Sequence, residues 1–307
     1  MSFQLRNIPL LSRVGADRAD EMRSDVDAAV AGWADAQLLR VDDRGNVMVV
    51  GDQLVLGSAA AFAGEPPADA VFLGRLENGR HVWAVRASLE APADGGARAV
   101  DPRRAGVPFD DTSAQLVTCA LALLNWHDAA RFSPFDGSPT RLIRAGWARR
   151  NVLTGHEEFP RVDPAVICLV HDGHDRAVLA RQVVWPPRLF SLIAGFVEAG
   201  ESFESCVVRE VAEEIGLTVT DVRYLGSQPW PFPRSLMVGF HALGDPEQEF
   251  AYTDGEIAEA AWFTRAEVRA ALAAGDWTSD SESRLLLPGT ISIAREIIES
   301  WAYHGEF

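Results

Sequence analysis

The sequence contains no lysine. All 28 of its basic residues are arginine, and 44 aspartates and glutamates outnumber them, leaving a formal net charge of −16. So acidic a chain excludes general adhesion to nucleic acid, which needs basic groups against phosphates, although one local basic patch remains compatible with it. Cysteine is scarce as well. Cys119, Cys168 and Cys206 are too few and too scattered for a disulfide framework or a metal site of their own, and the apolar neighbours of Cys168 and Cys206 predict buried thiols. No apolar run reaches the ~20 residues of a membrane helix. Met1-Ser2-Phe3-Gln4-Leu5-Arg6 lacks the basic flank and apolar core of a secretory signal. The expectation is a cytoplasmic protein with no membrane partner. There is no internal repeat and no low-complexity tract, and 307 residues suit two domains better than one.

What is present divides into three stretches. Residues 1–110 predict an α+β domain without a catalytic motif. Met22, Val26, Ala29, Val30 and Trp33 recur at helical spacing over 19–34, and short β-like runs follow at 36–41, 47–50, 54–56, 71–76 and 81–86, separated by turns such as Asn78-Gly79. Residues 90–110, rich in Pro, Gly, Asp and Arg, predict a linker. Residues 111–162 predict a helix over 112–131 and then an irregular connector. Residues 163–307 predict strands at 165–170, 177–184, 222–225, 235–243 and 260–263, with helices at 203–215, 265–274 and 292–301.

The chemistry concentrates in the third stretch. Gly195, Glu201, Arg209, Glu210, Val211, Glu213, Glu214, Gly216 and Leu217 satisfy the spacing G-x5-E-x7-R-E-U-x-E-E-x-G-U, with U aliphatic. On a helix, Glu210, Glu213 and Glu214 share one face. Three adjacent carboxylates repel one another unless a cation sits among them, and their hard oxygens suit Mg²⁺ or Mn²⁺. Phe203, Val207, Val211 and Ile215 lie opposite and predict the buried side. A solvated Glu-rich face, with Arg209 pairing Glu213, would explain the glutamates alone. It leaves the two glycines, Glu201 and the register unexplained.

This segment resembles the signature of the Nudix hydrolases, which cleave nucleoside diphosphates linked to another group. The resemblance implies a Nudix α/β/α sandwich with a mixed sheet. It also implies that Glu210, Glu214 and Glu256 are metal ligands, joined by the backbone carbonyl of Ala194. Glu214 would be the base for the attacking water, with Glu213 available to the metals and Arg209 and Glu201 orienting the helix and loop.

Ten residues beyond Leu217 begins Ser227-Gln228-Pro229-Trp230-Pro231-Phe232-Pro233-Arg234-Ser235. Each proline fixes φ and removes a backbone donor, so the segment is a stiff ribbon presenting Trp230 and Phe232 with little entropy left to lose. Beside a phosphate site it suits a flat base or nicotinamide ring; a proline-rich turn with buried aromatics is the competing reading. The stretch is similar to the SQPWPFPxS motif of the NADH pyrophosphatase branch of the Nudix family, and every fixed position is present. The resemblance spans about residues 120–303. It implies substrate contacts by Gln228, Trp230, Phe232 and Ser235, stacking by Phe196 and by Phe159 from the second subunit of a homodimer, and closure of the pocket by Ala294.

One departure stands out. Many members of this branch carry a zinc ribbon between the two domains, whereas the matching positions here are Ser133, Asp136, Asn151 and Thr154. Without thiolates no structural zinc is expected, and the connector reads as a degenerate ribbon whose shape survives without metal. The expected function is hydrolysis of NAD(H) to NMN(H) and AMP with two or three Mg²⁺ or Mn²⁺ ions, extending to NAD caps at RNA 5′ ends. For RNA, Arg141, Arg144, Arg149, Arg150 and Arg161 form a local basic cluster. The alternatives are another Nudix substrate, such as ADP-ribose, and a non-catalytic NAD-binding module.

Overall fold

The computed structural model describes residues 3–90, 96–104, 106–253, 255–279 and 282–305. The chain forms two compact units, one of residues 11–162 with 230–234, the other of residues 1–10, 163–229 and 235–307.

In the unit of residues 11–162, the helix expected over 19–34 is two short helices, α1 (Asp20–Ser24) and α2 (Val26–Ala31). Asp25 breaks them. Its carboxylate accepts from Ala28 N at 3.1 Å, and it caps the second helix rather than continuing the first. Strands β1 (Gln37–Val41), β2 (Val47–Val50), β3 (Gln53–Leu54), β4 (Gly57–Ser58), β5 (Val71–Arg75) and β6 (His81–Arg86) follow, with helix α3 (Ala59–Phe62) after β4. One sheet has the order β4-β1-β6-β5, with β1 parallel to β6. Part of the expected linker is strand β7 (Ala97–Val100), which completes a β3-β2-β7 sheet by pairing antiparallel with β2; residues 91–95 and 105 lie outside the described residues. Trp33, Phe72 and Trp83 meet edge to face in the core, with centroids 5.2–5.6 Å apart.

Helix α4 (Asp111–Ala129) is buried over most of its length, which is why its sequence is rich in Ala and Leu and weakly periodic. The connector after it is more regular than its sequence suggests. Strands β8 (Thr140–Ile143), β9 (Ala148–Asn151) and β10 (Glu157–Glu158) form a small antiparallel sheet.

The other unit is an α/β/α sandwich. Its mixed sheet has the order β14-β15-β11-β12-β16, built from β11 (Asp163–His171), β12 (Arg176–Gln182), β14 (Val219–Trp230), β15 (Ser235–Gly244) and β16 (Ile257–Thr264). The short β13 (Ile193–Phe196) pairs antiparallel with β11, and β15 runs parallel to β11. Strand β11 is apolar from Ala165 to Val170 because both of its faces are covered there. Val166, Cys168 and Val170 join the cluster that receives helix α5 (Phe203–Ile215) through Cys206, Val207, Val211 and Ile215. Ile167 and Leu169 join the cluster that receives α6 (Arg265–Ala274) and α7 (Ile293–Ala302). The N-terminal residues belong to this second cluster, which the sequence did not foretell. Phe3 is 2% exposed within it, Arg6 N donates to Ser300 Oγ at 2.9 Å, and Asn7 N donates to Glu296 at 2.8 Å. No helix among the described residues is long and apolar enough to cross a membrane.

Candidate active site

The box occupies β13, a loop and α5, and local chemistry fixes both helix ends. Ser202 caps the N-terminus by accepting from Ser205 N at 3.2 Å. At the C-terminus Gly216 takes φ 74°, and a Cβ there would meet Ala251 at 2.7 Å, so both backbone and space demand glycine. Val207, Val211 and Ile215 are fully buried, each stabilising the docked helix by about 1.5–3 kcal/mol. Phe203, expected among them, remains 39% exposed, because the first turn has not yet reached the sheet.

Arg209 organises the loop. Its Nε and Nη2 donate to the two oxygens of Glu201 at 2.9 Å each, its Nη1 donates to Glu210 at 2.8 Å and to Glu213 at 2.9 Å, and Nη2 also donates to the Phe196 carbonyl at 2.9 Å. One guanidinium thus ties β13, the loop and the helix together, as bidentate geometry permits. Glu201 also accepts from Glu198 N at 3.0 Å, and the Arg209 hydrogen bond holds its carboxyl down to about 2. The same pairing, with Glu201 first, raises the Arg209 guanidinium well above its ordinary value. Glu210 shifts the other way: desolvation raises it despite Arg209.

Glu210 lies against β13. A Cβ added at Gly195 would stand 1.9 Å from the Glu210 carboxyl carbon. The glycine therefore sets where this carboxylate points. Glu214 is 3% exposed, whereas Glu213 is exposed. Glu256 is exposed immediately before β16, its carbonyl accepting from Val183 N at 2.9 Å. Ala194 pairs with Ile167 in the β11–β13 ladder. Burial pushes the Cys206 thiol up to about 12; this and the other two cysteines are buried.

The segment 248–253 was not singled out from the sequence, because nothing in its composition marks a cap. Gln248 Nε2 donates to the Gly216 carbonyl at 2.8 Å, Ala251 N to that of Ile215 at 3.0 Å, and Thr253 Oγ1 to that of Glu213 at 2.6 Å. Carbonyls at the end of the box helix, without partners inside the helix, are satisfied this way.

The residues named for the dinucleotide separate into two groups. Phe196 and Phe159 are each 59% exposed, and Trp230, Phe232 and Ser235 are half-buried. Gln228 and Ala294 face inward. Gln228 is 0% exposed and donates to the Ile291 carbonyl at 2.8 Å, while Ala294 is 1% exposed in the core. Three residues of the proposed basic cluster are committed within the connector sheet. Arg144 and Arg150 bind Glu157 at 3.0 and 2.7 Å, and Arg149 is buried against Thr140 and His127. Three of the four zinc-ribbon positions, Asp136, Asn151 and Thr154, are joined by hydrogen bonds. Asn151 Nδ2 donates to the Asp136 carboxylate at 2.9 and 3.1 Å, and Asn151 Oδ1 accepts from Leu153 N and Thr154 N at 2.9 and 3.1 Å. Phe135 N donates to Ser133 Oγ at 3.4 Å.

A NUDIX domain model matches residues 161–282, and a model of the NADH pyrophosphatase-like rudimentary NUDIX domain matches residues 26–126. The NAD-capped RNA hydrolase NudC of Mycobacterium bovis is 72% identical over 304 residues, covering 98% of this chain and 97% of its own length. The mitochondrial NAD(P)H pyrophosphatase NUDT13 of Mus musculus is 40% identical over 224 residues, 70% of this chain and 63% of its own length. A solved NUDIX hydrolase from Nitrosomonas europaea is similar with a TM-score of 0.37 and 17% identity, over 44% of this chain and 77% of that one.

Proposed function

This chain belongs to the Nudix hydrolases, in the NADH pyrophosphatase (NudC) branch, and from that premise we propose that it hydrolyses the diphosphate of NAD(H) to NMN(H) and AMP and removes NAD caps from RNA 5′ ends. The observation that carries this reading is the carboxylate pair on one face of α5: Glu214 is 3% exposed, and Glu210 is held against Gly195 with its proton affinity raised by burial. The names of the relatives, NAD-capped RNA hydrolase and NAD(P)H pyrophosphatase, agree with it.

Nudix hydrolases work with divalent metal ions. The donors here fit a hard cation: all are oxygens, and a half-buried carboxylate with a raised pKa beside other carboxylates gains most from one. Among the described residues no three His, Cys, Asp or Glu side chains already converge as a cage; Glu210 and Glu213 instead share Arg209. We assign Glu210, Glu214, Glu256 and the Ala194 carbonyl as the groups that would hold two or three Mg²⁺ or Mn²⁺ ions. Once bound, such ions neutralise charge on phosphate oxygens and acidify a water. Glu214 takes the proton of the attacking water. Arg209 keeps loop and helix in register through Glu201, with Glu213 as its outer partner. Trp230, Phe232, Phe196 and Ser235 contact the dinucleotide, with Phe159 supplied by the second subunit of a homodimer, and Gln228 and Ala294 support these segments from the interior. The connector takes no zinc: its four ribbon positions offer no thiolate, and hydrogen bonds join Asp136, Asn151 and Thr154 to one another.

Product analysis with NAD⁺, NADH and ADP-ribose in parallel, with Mg²⁺ or Mn²⁺, tests the assignment. NMN(H) and AMP are expected, with kcat/KM for the dinucleotides above that for ADP-ribose. Cleavage of ADP-ribose alone would move the assignment to another Nudix substrate, and binding without any product would leave an NAD-binding module.

A further inference from the structure

Pro229, Pro231 and Pro233 offer no N–H, so a neighbour can grip this part of the loop's backbone chiefly through its carbonyls. Asn125, near the C-terminal end of α4, does so twice. Its amide donates to the carbonyl of Pro231 at 2.9 Å and to that of Pro233 at 3.1 Å. Both amide donors are thereby used on the loop, while Oδ1 accepts from Arg86 Nη2. Arg86 is itself fixed, by Asp128 at 3.0 Å and by the Asp42 carbonyl at 2.8 Å. The aromatic side of the loop is braced in series. Trp230 and Phe232 meet at 4.9 Å with their planes at 76°, and Phe232 N donates to the Trp230 carbonyl at 2.8 Å. The Arg103 guanidinium stands 5.3 Å from the Phe232 ring centre and is paired to Asp101 at 2.8 Å. All of these residues belong to the unit of residues 11–162 with 230–234.

We propose that Asn125, oriented by Arg86, is a positioning residue for dinucleotide recognition. It fixes the two carbonyls on either side of Phe232 and so sets the attitude of the Trp230 ring. The rudimentary domain, which carries no catalytic motif, then contributes to substrate choice through one side-chain amide. This inference rests on the reading of the loop as dinucleotide-selective. It predicts a particular failure when the donors are lost: the ring wanders, full dinucleotides bind less well, and the carboxylates of α5, which do not use these bonds, keep their chemistry.

Asn125→Asp isolates the donors, because it keeps the volume and the acceptor for Arg86 while losing both N–H groups. Asn125→Ala is the second variant, without the added charge, and should change preference in the same direction. The substrates are NADH, ADP-ribose, which lacks the nicotinamide, and nicotinamide riboside 5′-diphosphate, which lacks the adenine. Two lost hydrogen bonds should lower kcat/KM for NADH roughly ten-fold. The loss should appear in KM with kcat nearly unchanged, and should be smaller for the truncated substrate whose missing ring the loop reads. In a Trp230→Ala background the Asn125 variants should add no further loss of preference, since both act through one ring. Equal losses on all three substrates, or losses that multiply in the double variant, overturn the proposal and leave Asn125 a support of the fold. If Trp230→Ala erodes the preference and neither Asn125 variant does, the positioning role fails while the loop assignment stands. If Trp230→Ala leaves the preference intact, the loop assignment fails and takes this proposal with it.

Discussion

In the box, three glutamates share one arginine; in the connector, the positions that hold zinc-binding cysteines in many family members hold Ser133, Asp136, Asn151 and Thr154. The box ends with surplus negative charge. Arg209 directs two of its bonds to Glu201, Glu210 has a raised pKa, and buried Glu214 lies on the same helix face. The connector ends balanced: the Asp136 carboxylate is met by Asn151 and Ser138, and backbone amides meet the Asn151 carbonyl oxygen. Carboxylates gathered around a single guanidinium suit a cation, whereas polar groups that satisfy one another have no need of one.

The largest expected contrast comes from chelation. EDTA should abolish NADH turnover, restored by Mg²⁺ or Mn²⁺, while the melting of residues 11–162 stays where it was. Elemental analysis of the untreated protein should find no stoichiometric zinc. About one tightly held zinc per chain would break the comparison.

Acid should separate the two regions next, and in a definite order. His127 Nε2 donates to the Gly146 carbonyl at 2.7 Å, and its Nδ1 accepts from Arg149 at 3.1 Å, so protonation would set two donors face to face. Burial lowers this imidazole from 6.5 to about 4. Its contribution is present above pH 6.5 and is lost as pH falls toward 4, on the order of 3 kcal/mol for a shift of that size. The Glu201–Arg209 pair should outlast it, because Glu201 holds its charge until pH falls from about 4.5 toward 2. Hydrogen exchange resolved by segment should show 131–158 opening at higher pH than 195–210; the reverse order would contradict the assignment of these two groups.

The smallest effect is a single side chain in the connector. Asn151→Ala deletes four hydrogen bonds at a residue 1% exposed, and should cost about 2 kcal/mol of stability, with kcat on NADH unchanged. A denaturant midpoint equal to wild type would show that the connector is held by something other than this network.

How far the sequence reached depended on whether a signal was local. Helix α5 was legible to the residue, because the Glu-Arg pattern, its apolar face and Gly216 all lie within one short stretch. Strands β11 and β12 were legible as apolar runs, whereas the sandwich that buries both of their faces was expected from the family resemblance. Long-range events were not legible. The two-bond cap from Gln248 and Thr253, the docking of Phe3 into a cluster formed mostly by residues beyond 163, and the pairing of Ala97–Val100 with Val47–Val50 all join distant residues that carry no periodicity of their own. In the arginine cluster, spacing cannot show that Glu157 returns in β10 to pair with Arg144 and Arg150. Gln228 and Ala294 show the limit of carrying roles across by position, since both side chains are turned inward.

Glu214→Gln, assayed with NADH and saturating Mg²⁺ or Mn²⁺, asks whether the buried carboxylate of α5 performs the proton transfer in diphosphate cleavage. The amide keeps the volume and loses both charge and basicity. The variant's kcat should fall by about 10²–10⁴-fold with the fold and melting temperature preserved. Wild-type-like production of NMNH and AMP by the folded variant would contradict it.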